Sequence, residues 1–165
     1  MTLREDALYA SYRRLERPLY NVLYRQLWQA QDCQDVIHDA FLRVWERRAG
    51  VDETMLDGLP WTTALNLARN RLRRRKLWRH TPLDEAAPLP DDGGASSDFL
   101  ATRRLRQALR KLPRASRDVL LLCEFSGLRG AEIARVLGIP AGTVASRKHH
   151  AMERLKALLG EPDHA

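Results

Sequence analysis

Apolar residues in this chain recur mostly at three- and four-residue spacing, which is the signature of helices with one buried face. Leu8, Tyr12 and Leu15, then Leu19, Val22, Leu23 and Leu27, mark such a face, and Pro18 is expected to break or restart the run. Asp32 reads as the N-cap of a second helix, and Asp35 follows where the helix dipole favours an acid. That helix carries Val36, Ile37, Ala40, Phe41, Val44 and Trp45 as its stripe and fades at Gly50. Between Gly50 and Pro60 the sequence predicts a polar, irregular loop. Pro60 then suits the first turn of a third helix, running through Trp61, Leu65, Leu67, Ala68 and Leu72 to about Trp78.

From Thr81 to Asp98 the periodicity disappears, and the sequence reads TPLDEAAPLPDDGGASSD. A stretch this rich in Pro, Gly, Ser and Asp buries too little surface to offset its ordering entropy, which predicts a flexible linker. Its acids, Asp84, Glu85, Asp91, Asp92 and Asp98, are unaccompanied by any Lys or Arg. Helical spacing then resumes. Ser97 or Asp98 can cap a helix bearing Leu100, Leu105, Ala108, Leu109 and Leu112. Pro113 marks a break, and an apolar helix follows through Val119, Leu120, Leu122, Cys123 and Phe125 until Gly127. No segment alternates as a strand would, so the expected fold class is all-α, with two small helical domains and a linker.

The most specific local pattern is GLRGAEIARVLGIPAGTVASR, Gly127 to Arg147. Ala131 to Leu137 predicts a short helix with Ile133, Ala134 and Leu137 inward, and Gly138 fits the tight turn that only a residue free of a Cβ makes cheaply. Ile139 would plug the angle between helices. Pro140, Ala141 and Gly142 lead into a second helix, with Val144, Ala151, Leu155 and Leu158 inward. Two helices joined by a Gly turn, the second opening with small polar residues and bases, form a helix-turn-helix that reads DNA. Thr143, Ser146, Arg147 and His150 would then face the groove or the phosphates. His149 and His150 are adjacent, so they diverge on a helix, and no third ligand accompanies them; no metal site is expected.

Charge sharpens the picture. The chain has 165 residues, a net charge of +7 and a pI near 10.0, which favours a polyanionic partner. The charge is clustered: NLARNRLRRRKLWRH, Asn66 to His80, holds Arg69, Arg71, Arg73, Arg74, Arg75, Lys76 and Arg79 without an acid. Like charges four apart on a helix repel, so an unmixed run favours phosphate contact over a solvated face. Trp61 and Trp78 flank the run, and aromatics beside Arg can hold unstacked bases; core packing is the alternative for each, as open as stacking for Trp61 and favoured for Trp45. Cys33 and Cys123, the only cysteines, lack CxxC spacing and read as reduced thiols. Arg4, Glu5 and Asp6 interrupt the start of the chain, which does not read as a signal peptide, and no window approaches the roughly 20 apolar residues of a membrane helix. A cytoplasmic location follows.

These blocks, in this order, resemble the extracytoplasmic-function sigma factors, the two-domain members of the sigma-70 family, from about Leu8 to Leu159. DCQDVIHDAFLRVWERR (Asp32 to Arg48) resembles the helix that docks on the clamp helices of the polymerase's largest subunit. LPWTTALNLARNRLRRRK (Leu59 to Lys76) is similar to the promoter-melting, −10-reading segment, and ALRKLPRASRDVLLLCEFSGL with the helix-turn-helix resembles the −35-reading domain. The resemblance implies a region 2-like domain over residues 1–80, a flexible acidic linker over 81–98 threading the polymerase's basic interior, and a region 4-like domain over 99–160.

The implied roles fall on particular residues. Polymerase binding would use Asp35, Asp39, Phe41, Leu42 and Trp45. The −10 element and melting would use Trp61, Asn66, Arg69, Asn70, Arg73, Arg74 and Lys76. The −35 element would use Arg129, Thr143, Ser146, Arg147, His149, His150 and Arg154. Implied partners are the RNA polymerase core, including the flap of its second subunit, promoter DNA and an anti-sigma factor, with no cofactor and no membrane insertion. Many family members carry a base where this chain has Ala145 and an apolar residue where it has Lys148, whose stem could pack while its charge snorkels outward.

A response-regulator output domain would need a strand-rich receiver, which the first half lacks. A general RNA-binding or nucleoid protein would leave the helix-turn-helix and acidic linker unexplained. An enzyme is not expected, because no phosphate loop, nucleophile elbow or metal spacing is present.

Overall fold

The structure, a computed structural model, describes residues 2–78 and 97–160. The linker reading over 81–98 therefore lies outside the described residues except at Ser97 and Asp98, which already belong to a helix. All regular structure among the described residues is helical, and the chain divides into two compact units, Met1–Pro88 and Leu89–Ala165.

The first unit contains α1 (Glu5–Leu27), α2 (Ala30–Glu46) and α3 (Leu59–Trp78). Pro18 neither breaks nor restarts α1, contrary to the sequence expectation; the helix passes through it. An interior Pro costs ~3 kcal/mol, but Leu15, Leu19, Val22, Leu23 and Leu27 form one buried stripe across it. Each fully buried Leu or Val returns about 1.5–3 kcal/mol, so the stripe wins. Trp28 closes α1 in a left-handed conformation (φ 57°) and donates its N–H to Tyr24 O at 2.8 Å.

Asp32 is not the N-cap of α2. The helix opens at Ala30 behind Gln29, and Asp32 sits in the first turn, where its carboxylate is committed to arginines of α3.

The segment after α2 is more ordered than a polar loop. Two short 3-10 turns, Arg48–Gly50 and Glu53–Asp57, hold it. Asp52 caps the second by accepting from Thr54 N at 2.9 Å. Val51 and Leu56 are buried with Leu3 and Val44, against Ala7, Leu8 and Leu59. Leu3 N donates to Arg48 O at 3.0 Å, and the buried Ser11 hydroxyl donates to Leu56 O at 3.3 Å. Two apolar side chains five residues apart anchor a segment that looks polar as a string.

The second unit contains α4 (Ser97–Lys111), α5 (Arg114–Phe125), α6 (Gly130–Leu137) and α7 (Ala141–Gly160), with α7 packed against each of the other three. Its core takes Leu109, Leu112, Val119, Leu122, Ile133 and Val144. Leu100, read as part of the α4 stripe, is exposed, while Val136 is buried beside Ile133 and Ala134 on α6. Gly138 stands at φ 68°, and the N–H of Ile139 reaches back to Ala134 O at 3.0 Å, which closes the turn between α6 and α7.

Candidate nucleic-acid interface

The basic run lies on the second half of α3, and its residues divide by face. Arg71 Nη1 donates to Asp32 Oδ1 at 2.8 Å and stands 3.6 Å from Asp35 Oδ2. Arg75 donates to Leu27 O at 2.8 Å, to Gln29 Oε1 at 3.3 Å and to Asp32 Oδ2. One guanidinium thus joins the carboxyl end of α1, where the helix dipole welcomes a cation, to the first turn of α2. The run is unmixed in sequence yet paired in space, because its acids come from α2.

With Arg71 and Arg75 turned inward, Arg73, Arg74 and Lys76 are exposed and Arg69 is half-buried. Asn66 and Asn70 are also exposed, and both line a cleft of about 140 Å³ with Thr63 and Leu67 of α3, Arg43 of α2 and Arg47 just past its end. Each amide offers donors and an acceptor, the equipment that base edges require. Trp61 is a correction: it is 0% exposed, in the core beneath this surface, so its ring is not available to a base. Its indole N–H has no hydrogen-bond partner there. Trp78, at the other end of the run, is 83% exposed.

On α2, Asp35, Asp39 and Leu42 follow at four- and three-residue spacing and share a face, with Asp39 and Leu42 exposed and Asp35 half-buried. Gln31 Nε2 donates to Asp35 Oδ1 at 2.9 Å. Phe41 points elsewhere: it is buried, edge-on to Tyr12 at 5.2 Å between ring centroids, and supports the helix pair from within. Trp45 is half-buried with the Arg48 guanidinium 4.5 Å above its ring. A wide groove between α1 and α2, about 790 Å³, is lined by Tyr12, Glu16, Arg17, Tyr20, Asp35 and His38, among others. The sequence reading missed it, since neither helix alone announces a groove.

On α7, Ser146, His150 and Arg154 are exposed, and Thr143 and Arg147 are half-buried at the same face, as three- and four-residue spacing requires. His149 is exposed but lies off that face, with its ring 5.7 Å from that of His150. Val144 and Ala151 are buried and fix the rotation of the helix. Lys148 does send its charge outward, standing 3.8 Å from Glu124. Arg129 precedes α6, where its N–H donates to Glu132 Oε1 at 3.2 Å and its side chain is exposed. The helix-turn-helix residues are thus held together by α6 and α7.

Among the described residues no group of His, Cys, Asp and Glu has a metal-binding arrangement, and no helix is long and apolar enough to cross a membrane. Burial pushes the Cys33 thiol up to about 12, against the pull of Arg71. Burial also raises Cys123, opposed by Lys148.

Two family models match the chain: "Sigma-70 region 2" over residues 11–77 and "Sigma-70, region 4" over residues 102–155. The chain is 31% identical to the ECF RNA polymerase sigma factor SigM of Mycobacterium tuberculosis, over 90% of this chain and 75% of SigM. It is 30% identical to the RNA polymerase sigma factor CarQ of Myxococcus xanthus, over 95% and 91%, and 27% identical to the ECF sigma factor SigW of Bacillus subtilis, over 86% and 82%. Among solved structures, CnrH in complex with the cytosolic domain of CnrY superposes with a TM-score of 0.71 at 23% identity, covering 94% of this chain and 89% of that one. RpoE of Bartonella quintana, in complex with the anti-sigma factor NepR, gives 0.64 at 19%, covering 94% and 95%.

Proposed function

Because the chain belongs to the extracytoplasmic-function RNA polymerase sigma factors of the sigma-70 family, we propose which surfaces carry that role. The first domain, residues 1–80, binds the polymerase core through Asp35, Asp39 and Leu42, with Trp45 at the edge of that face. The same domain engages the −10 element through Asn66, Arg69, Asn70, Arg73, Arg74 and Lys76. Its cleft beside Asn66 and Asn70 takes a base leaving the stack, a step costing a few kcal/mol that amide hydrogen bonds and cationic phosphate contacts offset. The second domain, residues 99–160, reads the −35 element. Thr143, Ser146, Arg147 and His150 meet the groove, Arg154 and Arg129 the phosphates, and His149 a flanking position. Phe41 and Trp61 act from the core, by holding α2 and α3 in place.

The observation that carries this reading is the sorting of α3: Arg71 and Arg75 are tied to Asp32, while Arg73 and Arg74 are exposed and Asn66 and Asn70 line a cleft. A protein that hides the α2 face would silence such a factor. CnrH was solved with the cytosolic domain of CnrY and RpoE with the anti-sigma factor NepR, and the latter supports an anti-sigma partner here. A cytoplasmic site of action and the absence of enzymatic chemistry go with that role.

The test is run-off transcription with purified core polymerase on a library of promoter fragments. Start-specific transcripts that require the chain are expected, and Arg73→Ala with Arg74→Ala should weaken promoter opening more than core binding. Duplex-specific binding without polymerase, and no transcript with it, would overturn the assignment.

A further inference from the structure

Leu77 and Trp78 are 68% and 83% exposed, the largest exposures among the big apolar side chains of the described residues. They stand at the end of α3, and one turn before them come Arg73 and Arg74, four residues back in each case. The outward file therefore runs Asn66, Asn70, Arg73, Leu77, with Arg74 and Trp78 along one edge. Amides give way to cations, and cations to bare apolar surface.

The turn that carries the pair is anchored by a neighbour. Arg75, three residues before Trp78, is bonded to Leu27 O at 2.8 Å and to Asp32. The last turn of α3 is thus tied to α1 and α2 through Arg75. The neighbouring cations decide what fits it. Arg73, Arg74 and Lys76 are exposed, and none is paired with an acid among the described residues. A protein partner of this apolar pair would have to bury those charges, whereas a nucleic-acid strand brings a phosphate and a π face together.

We propose that Trp78, with Leu77 beside it, is a stacking platform for an unpaired base of the opened promoter, next to the bases taken by Asn66 and Asn70. This rests on the sigma-factor reading and adds a contact to it. Arg74 reaches the phosphate one turn back, and the ring accepts any base, because stacking needs no hydrogen-bond code. Trp61 was the other aromatic at this run; with Trp61 in the core, the task falls on Trp78.

The test uses the full chain with core polymerase on a promoter found by the run-off assay, carrying 2-aminopurine at successive non-template positions. Wild-type protein should quench one position on opening. Trp78→Ala should abolish that quench and lower open-complex yield roughly 5- to 150-fold, the range for losing one stacked base. Trp78→Phe should restore both in part. Because the side chain is exposed, circular dichroism of Trp78→Ala should match wild type. Absence of any transcript with wild type would sink the sigma-factor reading itself. Normal transcription with identical quenching in Trp78→Ala would sink only the platform. Equal loss of core binding without DNA, or flotation of wild type but not Trp78→Ala with anionic vesicles, would give this surface to a protein or a membrane and overturn the proposal.

Discussion

Arg74 and Arg75 are neighbours in sequence with identical chemistry, and the structure gives them opposite tasks. Replacing Arg75 with Ala removes bonds to Leu27 O (2.8 Å), Gln29 Oε1 (3.3 Å) and the Asp32 carboxylate. Hydrogen bonds to charged groups contribute about 1.5–3 kcal/mol net. The Arg75 side chain is 20% exposed and Asp32 keeps Arg71 at 2.8 Å, so screening and the remaining partner hold the loss to about 2 kcal/mol. For a domain of this size that is a fall in Tm of roughly 10 °C. Arg74→Ala removes an exposed side chain and should stay within about 0.5 kcal/mol. The assay is urea unfolding followed by tryptophan fluorescence, which reports the first unit alone, since all four tryptophans (Trp28, Trp45, Trp61 and Trp78) lie in it. Arg75→Lys keeps the charge but not the planar fork, and should recover less than half the loss. Equal stability of the Arg74 and Arg75 variants would refute the division of α3 into an internal and an external face.

Three further outcomes follow from the packing. Leu56→Ala should destabilise the first unit by about 2–4 kcal/mol in the same urea assay, because Leu56 is 3% exposed in the cluster with Leu3, Val44 and Val51. Arg147→Ala should weaken binding to a −35 duplex by about 1–3 kcal/mol and relax preference at one base pair, seen by competition binding, without moving the thermal transition of the second unit. Iodoacetamide at mildly alkaline pH should label Cys123 well before Cys33. Burial holds the Cys33 thiol neutral up to about 12 from an ordinary 9.0. Its folded pKa is raised, so its contribution to stability is full below pH 9.0 and is lost as pH rises toward 12. Cys33→Ala should flatten that part of the wild-type pH–stability curve.

What could be read from the string was whatever neighbouring residues decide. The turn at Gly138 declares itself because a left-handed backbone, a preceding apolar helix and a following small-residue stretch all lie within one window. The stripes of α2 and α3 were legible for the same reason. Pro18 was misjudged because local propensity forbids what the Leu15–Leu27 stripe enforces through burial. Asp32 looked like a cap because its partners, Arg71 and Arg75, lie about forty residues away, beyond any local pattern. Trp61 looked like a base-stacking residue for a related reason: helical spacing gives its face only relative to its neighbours, and the neighbours are mixed. A hint was available in Ala64, Leu65 and Ala68, which follow it at three- and four-residue spacing and are buried with it. The groove between α1 and α2 had no signal in the sequence at all, since it belongs to two helices jointly.

The internal pairing on α3 also changes the thermodynamics of any encounter with DNA. Displaced counterions, not formal charge, set how steeply binding falls with salt, at a slope near −0.9 for each phosphate neutralised on a duplex. Of the seven bases in the run, Arg71 and Arg75 already hold carboxylates as their counterions and release nothing on binding. Exposed Arg73, Arg74 and Lys76 do release them. Binding of a duplex by this helix will therefore fade with ionic strength more gently than its sequence suggests, leaving the interaction less sensitive to swings in salt.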